Sequence, residues 1–202
     1  MRIAICALLL LQQADKWEKE IAALEKKPNV GDIVFIGSST IRLWNVEKHL
    51  PELKINNRGF GGSEIADSVR YADRILIPLK PKTVLLFAGG NDINAGKAPE
   101  KVFEDYKAFV AKVREALPET KIWFLSLYPN LKRAAQLEKT TKLNALIAAH
   151  AKADPKLGFI DIASALCPDG KPRAEVLRDD QLHLNEDGYA IISKVVRGVL
   201  TN

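Results

Sequence analysis

Ile33-Val34-Phe35-Ile36-Gly37-Ser38-Ser39-Thr40 reads as a strand that stops at a glycine and hands over to a helix. Four consecutive apolar residues between Gly31-Asp32 and Gly37 show no alternation, as expected of a strand buried on both faces of a parallel sheet. A new apolar pattern opens at Ile41, Leu43 and Trp44 with helical spacing. A hydroxyl between the carboxyl end of a strand and the amino end of a helix lies where open α/β sheets place their ligands. Backbone N–H groups and the helix dipole converge there and favour negative charge. Taken alone, Ser38 or Ser39 reads equally well as a helix cap. The rest of the chain has to decide.

Upstream, Trp17, Ile21 and Leu24 mark an amphipathic helix that ends near Pro28. Downstream, a helix over 41–50 closes at Pro51, and Leu53, Ile55 and Asn57 mark a second strand. The loop Asn57-Arg58-Gly59-Phe60-Gly61-Gly62-Ser63 follows, with Ser63 expected to cap a helix from Glu64. The apolar run over 83–87 is the clearest buried strand, and it ends in Ala88-Gly89-Gly90-Asn91-Asp92. A helix from Pro99 to Pro118, a strand over 122–127, a helix over 135–153 and a short strand over 158–161 come next. The loop Asp179-Asp180-Gln181-Leu182-His183-Leu184 then leads to Asn185, the expected N-cap of a last helix carrying Tyr189, Ile192 and Val196. Strands alternating with helices predict the α/β class: a three-layer α/β/α sandwich around a flavodoxin-like, mainly parallel five-stranded sheet in the order 2-1-3-4-5.

The 202 residues are 47% hydrophobic, enough for one domain with a sizeable core, expected over 15–202. Residues 3–11 form an apolar run behind Met1-Arg2, so 1–14 read as an export signal or as an apolar N-terminal segment of the fold. The first reading implies a secreted or periplasmic protein, the second a cytoplasmic one. The run is too short to span a bilayer, and no stable membrane insertion of the mature domain is expected. The net charge of +5 comes from lysines scattered along helical stretches, which points to a solvated surface and not to nucleic-acid binding. Cys6 and Cys167, with His49, His150 and His183 far apart, offer no metal-ligand spacing, and no metal is expected.

Three strand-end loops thus carry Ser38-Ser39, Gly61-Gly62 and Asn91-Asp92, and a fourth element, Asp180-x-x-His183, precedes the last helix. A serine becomes a nucleophile when a histidine takes its proton and a carboxylate holds that histidine's tautomer. A tetrahedral intermediate needs N–H donors, which a loop glycine and an asparagine amide can supply. Each signal alone has a plain reading: a turn, a cap, a surface charge. Together, in this order, they suit one mechanism.

Gly37-Ser38-Ser39-Thr40, Gly62 in its glycine-rich loop, Gly89-Gly90-Asn91-Asp92 and Asp180-Gln181-Leu182-His183 resemble the four blocks of the GDSL/SGNH hydrolases. The resemblance implies the same α/β/α fold and a serine esterase with no cofactor. It makes Ser39 the nucleophile, His183 the general base and Asp180 the residue orienting it. The oxyanion donors it implies are the Ser39 and Gly62 backbone N–H groups and the Asn91 side chain. Two positions depart from the family pattern: Ser38 stands where the usual block has Asp, and Thr40 where it has Leu. Asp179 beside Asp180 leaves two carboxylates for His183, with the spacing favouring Asp180.

The substrate expected is a small ester, an acylated sugar, lipid or small alcohol, because short loops leave little material for a lid. Arg42, Arg58 and Tyr128 fall near the rim as leaving-group contacts or as surface residues. Two rival readings are a phosphate- or flavin-binding module and a non-catalytic binding protein of the same family. The first lacks a P-loop, since Gly96-Lys97 is followed by Ala98, and gives Asp180-x-x-His183 no purpose.

Overall fold

The computed structural model describes residues 16–201; the apolar run at the N-terminus, and with it the choice between signal and fold segment, lies outside the described residues. Five strands, β1 (Ile33–Gly37), β2 (Ile55–Gly59), β3 (Thr83–Phe87), β4 (Lys121–Leu125) and β5 (Leu157–Ile160), form one sheet in the order β2-β1-β3-β4-β5. Every neighbouring pair is parallel, with Gly37 level with Gly59 on one side and with Phe87 on the other. This is the expected strand order. Val34, Phe35 and Ile36 in β1 and Val84, Leu85 and Leu86 in β3 are fully buried, which explains why neither run alternates.

The helices are α1 (Glu18–Glu25), the single turns α2 (Ser39–Arg42) and α3 (Val46–His49), α4 (Ile65–Ile75), α5 (Gly90–Asn94), α6 (Pro99–Ala116), α7 (Leu137–Ala151), α8 (Ala163–Leu166) and α9 (Glu186–Leu200). Helices α1, α4, α6 and α7 pack in series as one layer, and α9 packs with α3 and α8 in the other. Asn185 caps α9 as expected, its side chain accepting from the Gly188 N–H at 3.0 Å. Among the described residues no helix is long and apolar enough to cross a membrane.

Two local expectations are corrected. The 41–50 segment is two short turns and not one helix. Asn45 starts a new N-cap by accepting from the Lys48 N–H at 3.0 Å, and Asn57 donates to the carbonyls of Ile41 (2.7 Å) and Trp44 (3.1 Å), which flank the break. Ser63 does not cap α4: it lies one residue before the N-cap, and its hydroxyl donates to Phe60 O at 2.9 Å. Glu64 caps α4 instead, in a reciprocal box with Asp67.

Arg58 is no rim residue. It is 2% exposed and donates to Leu24 O (2.9 Å) and Lys27 O (3.0 Å), closing the carbonyl end of α1. Burial lowers the pKa of its guanidinium from the ordinary value. Its work is to tie α1 to the edge strand β2.

The chain runs from β1 outward to β2, then returns to place β3 on the other side of β1. Loops leaving the carboxyl ends of β1 and β3 therefore head to opposite sides of the sheet, and a crevice opens between them. That reversal of direction positions the site.

Candidate active site

Strand β1 ends at Gly37, whose φ of +134° suits glycine alone and whose added Cβ would lie 2.0 Å from Phe87 O. The tight approach lets Ser38 N–H donate to Phe87 O at 2.9 Å, locking the β1 turn to the end of β3. Ser38 precedes α2 but forms no side-chain cap. Ser39 is the first residue of the turn, so its N–H has no intrahelical acceptor.

The Ser39 hydroxyl meets His183, with Oγ and Nε2 2.8 Å apart. The other ring nitrogen, Nδ1, lies 2.6 Å from Asp180 Oδ2. Asp180 also accepts the backbone N–H groups of Leu182 (3.0 Å) and His183 (2.9 Å) through Oδ1. Partial burial pushes the Asp180 carboxyl up, but the hydrogen bonds from His183 and these two N–H groups outweigh it and hold the pKa down to about 2. Of the two neighbouring carboxylates, Asp180 is the one that reaches the ring.

The histidine loop is held in a shape that few residues adopt. Gln181 sits at φ +59°, a left-handed conformation that costs roughly 1–2 kcal/mol for a residue with a Cβ. Its carbonyl accepts from Lys132 N–H at 3.0 Å, and its N–H donates to Arg178 O at 2.8 Å. The Tyr128 hydroxyl donates to Leu182 O at 3.2 Å and lies 3.3 Å from Thr40 Oγ1. Burial pushes this phenol up to about 12, so it remains a neutral donor. Thr40, at a position where the family pattern has leucine, thus uses its hydroxyl to join the serine turn to the β4–α7 loop.

Asn91 lies in α5, just beyond β3. Its Nδ2 donates to Ser63 O at 2.9 Å, and its Oδ1 accepts from Arg133 at 3.0 Å. The adjacent Asp92 is fully buried and joins the same loops, accepting from Ile65 N–H (3.2 Å) and from Lys97 (3.1 Å). Burial raises the Asp92 pKa, and the lysine opposes that shift. Gly62 adopts φ +73°, and a Cβ there would meet nothing, so its glycine answers to backbone conformation and not to crowding.

Ser39, Asn91 and His183 line one open cleft of about 50 Å³ with Phe87, Leu127 and Leu182. Asp180 stands behind His183. Gly62 lies outside the cleft lining, on the exposed turn after β2 whose next carbonyl, Ser63 O, is held by Asn91. Of the three rim candidates only Tyr128 lines the cleft. Arg42 stands against Gly61 instead, 3.9 Å from Glu20. Sequence reasoning passed over Arg133, which lines the cleft from an irregular 3₁₀ segment (Leu131–Gln136). Beside Lys132 it looks like surface charge, and nothing in its local sequence marks it.

The chain is similar to the platelet-activating factor acetylhydrolase IB subunit alpha1 of Pongo abelii, 27% identical over 182 residues, which cover 87% of this chain and 78% of that protein. Among solved structures it is similar to a Streptococcus pneumonia protein named for platelet activating factor (TM-score 0.82, 25% identical, covering 99% of this chain and 98% of that one). A GDSL-like lipase of Bacteroides thetaiotaomicron shares the fold (TM-score 0.74, 21% identical, covering 92% and 96%). The sequence pattern of the GDSL-like lipase/acylhydrolase family matches residues 43–191, a span that holds Gly62, Asn91, Asp180 and His183 and begins just after the serine turn that His183 reaches back to. With that match over most of its length and the family's five-stranded parallel sheet beneath it, the chain belongs to the GDSL-like lipase/acylhydrolase family.

Proposed function

We propose that the protein is a serine esterase that cleaves short-chain acyl esters through an acyl-serine intermediate. The observation carrying this reading is the unbroken chain Asp180 Oδ2–His183 Nδ1 (2.6 Å) and His183 Nε2–Ser39 Oγ (2.8 Å). An ionised Asp180 keeps the proton on Nδ1, which leaves Nε2 free to accept. His183 takes the Ser39 proton as Oγ attacks the ester carbonyl carbon. The oxyanion that forms is met by the Ser39 N–H and the Asn91 amide, with the Gly62 N–H as third donor from the neighbouring turn that Asn91 holds through Ser63 O. His183 then protonates the leaving alkoxide as its bond to carbon breaks. Water, deprotonated by the same imidazole, releases the acid from Ser39.

Asn91→Ala removes one of three oxyanion donors. The expected result is a kcat lower by about 10²–10³-fold with KM nearly unchanged, because the lost bond forms chiefly in the transition state. Steady-state kinetics on an aryl acetate check this, and a variant with full kcat removes Asn91 from the mechanism.

The substrates proposed are acetyl and similarly small esters of sugars, lipids or small alcohols. A cleft of about 50 Å³ supports that choice, as does the likeness to a protein named as an acetylhydrolase. A chain-length series of p-nitrophenyl esters should show kcat/KM highest at acetate and falling steadily past butyrate. A profile that rises toward octanoate overturns the short-chain assignment.

A further inference from the structure

Arg133 has no part in the proton relay, yet its guanidinium is the group that holds Asn91. One terminal nitrogen donates to Gly90 O at 3.0 Å and the other to Asn91 Oδ1 at 3.0 Å. It therefore clamps a backbone carbonyl and the side chain of the next residue in a fixed fork. Ser63 O, which can only accept, takes one proton from Asn91 Nδ2 at 2.9 Å. An arginine that can only donate on one side and a carbonyl that can only accept on the other determine the orientation of the amide. The flipped rotamer would set NH₂ against guanidinium and oxygen against oxygen. The second Nδ2 proton makes no bond to any other described residue, in a group that lines the cleft with Ser39 and His183.

The clamp is also charged. No described carboxylate pairs with Arg133, and burial lowers its pKa from the ordinary guanidinium value. Accepting from a cation polarises the amide, drawing electron density toward Oδ1 and making the Nδ2 protons better donors. The backbone is drawn in as well. Arg133 has φ −124° and ψ 31°, a break in an otherwise helical segment, and its own N–H donates to Asn130 Oδ1 at 3.0 Å.

We propose that Arg133 is a positioning residue that locks the Asn91 amide, N–H toward the reacting carbonyl, and strengthens it as an oxyanion donor. The proposal rests on the esterase reading above for its effect on rate, but the lock itself has an independent readout.

The test pairs Arg133→Met and Arg133→Lys with the same changes in an Asn91→Ala background. Arg133→Met should lower kcat on p-nitrophenyl acetate by about 10–100-fold, less than loss of the amide itself, with KM close to that of the unaltered enzyme. Arg133→Lys, which cannot fork across both acceptors, should fall between the two. In the Asn91→Ala background the Arg133 changes should alter kcat by no more than about 3-fold, because the group they act through is gone. In the unaltered protein the Asn91 side-chain NH₂ resonances, assigned by their loss in Asn91→Ala, should be well separated and slow to exchange with solvent. In Arg133→Met, or in Arg133→Lys if the methionine variant does not fold, they should converge and exchange faster.

An equal loss of kcat in both backgrounds overturns the proposal, and so does a rise in KM at constant kcat, which would make Arg133 a substrate contact. Asn91 NH₂ resonances in the unaltered protein that sit at the shifts of a free asparagine amide and exchange with solvent as fast as one overturn it too. If the unaltered protein hydrolyses no ester, the esterase reading fails alone, and the amide resonances still decide whether the lock exists.

Discussion

Ser39→Ala should abolish ester hydrolysis, lowering kcat on the order of 10⁶-fold, because the variant loses the atom proposed to form the covalent intermediate. The loss should not come from unfolding. Among the described residues the Ser39 side chain makes one hydrogen bond, to His183 Nε2, and alanine suits the first turn of a helix. Removing one such bond costs about 0.5–1.5 kcal/mol. A serine-reactive fluorophosphonate should label the unaltered protein in a 1:1 ratio and leave Ser39→Ala unlabelled, while chemical denaturation gives nearly equal midpoints. Labelling that persists in the variant would place the nucleophile elsewhere, and an unlabelled but folded parent would favour the non-catalytic binding reading.

Asp180→Asn is expected to cost about 10⁴-fold in kcat while keeping the shape of the site. An asparagine can still accept the Leu182 and His183 backbone N–H groups through Oδ1, so the strained turn at Gln181 survives. The other branch becomes an NH₂ group facing Nδ1, 2.6 Å away in the parent. An NH₂ there demands a bare Nδ1 and moves the imidazole proton to Nε2, where it opposes the Ser39 hydroxyl instead of accepting from it. Substrate binding should change little, and kcat/KM measured beside kcat checks that. A variant with near-parental kcat would remove Asp180 from the relay.

The carboxylate also has a pH signature. Its folded-state pKa is depressed to about 2, so the interaction stabilises the fold fully above the ordinary carboxylate value and fades as pH falls toward 2. Asp180 accordingly stays anionic through the neutral and mildly acidic range.

The sheet order was legible because β1, β3 and β4 are apolar runs of strand length, separated by segments with helical periodicity. Where local signals competed, the tertiary bond won. Ser63 was a reasonable cap by residue type, yet its hydroxyl donates back to the Phe60 carbonyl, and Glu64 with Asp67 does the capping. The 41–50 helix was reasonable by periodicity, yet Asn57 on β2 reaches across to take the carbonyls that a continuous helix would have used internally. Arg58 and Arg133 look alike in sequence, two arginines near strand-end loops. One is buried against the end of α1 and the other clamps Asn91.

What the amino-acid order determined unaided was the alternation of strands and helices and the positions of four candidate blocks, because periodicity and residue chemistry are local properties. Only the folded chain showed that Asp180, which the spacing favours over Asp179, comes within bonding distance of His183, that His183 meets Ser39 across 144 positions, and that Arg133 holds Asn91. Those outcomes depend on which groups come within about 3 Å, and that distance is set by strand register and loop conformation summed over the whole domain.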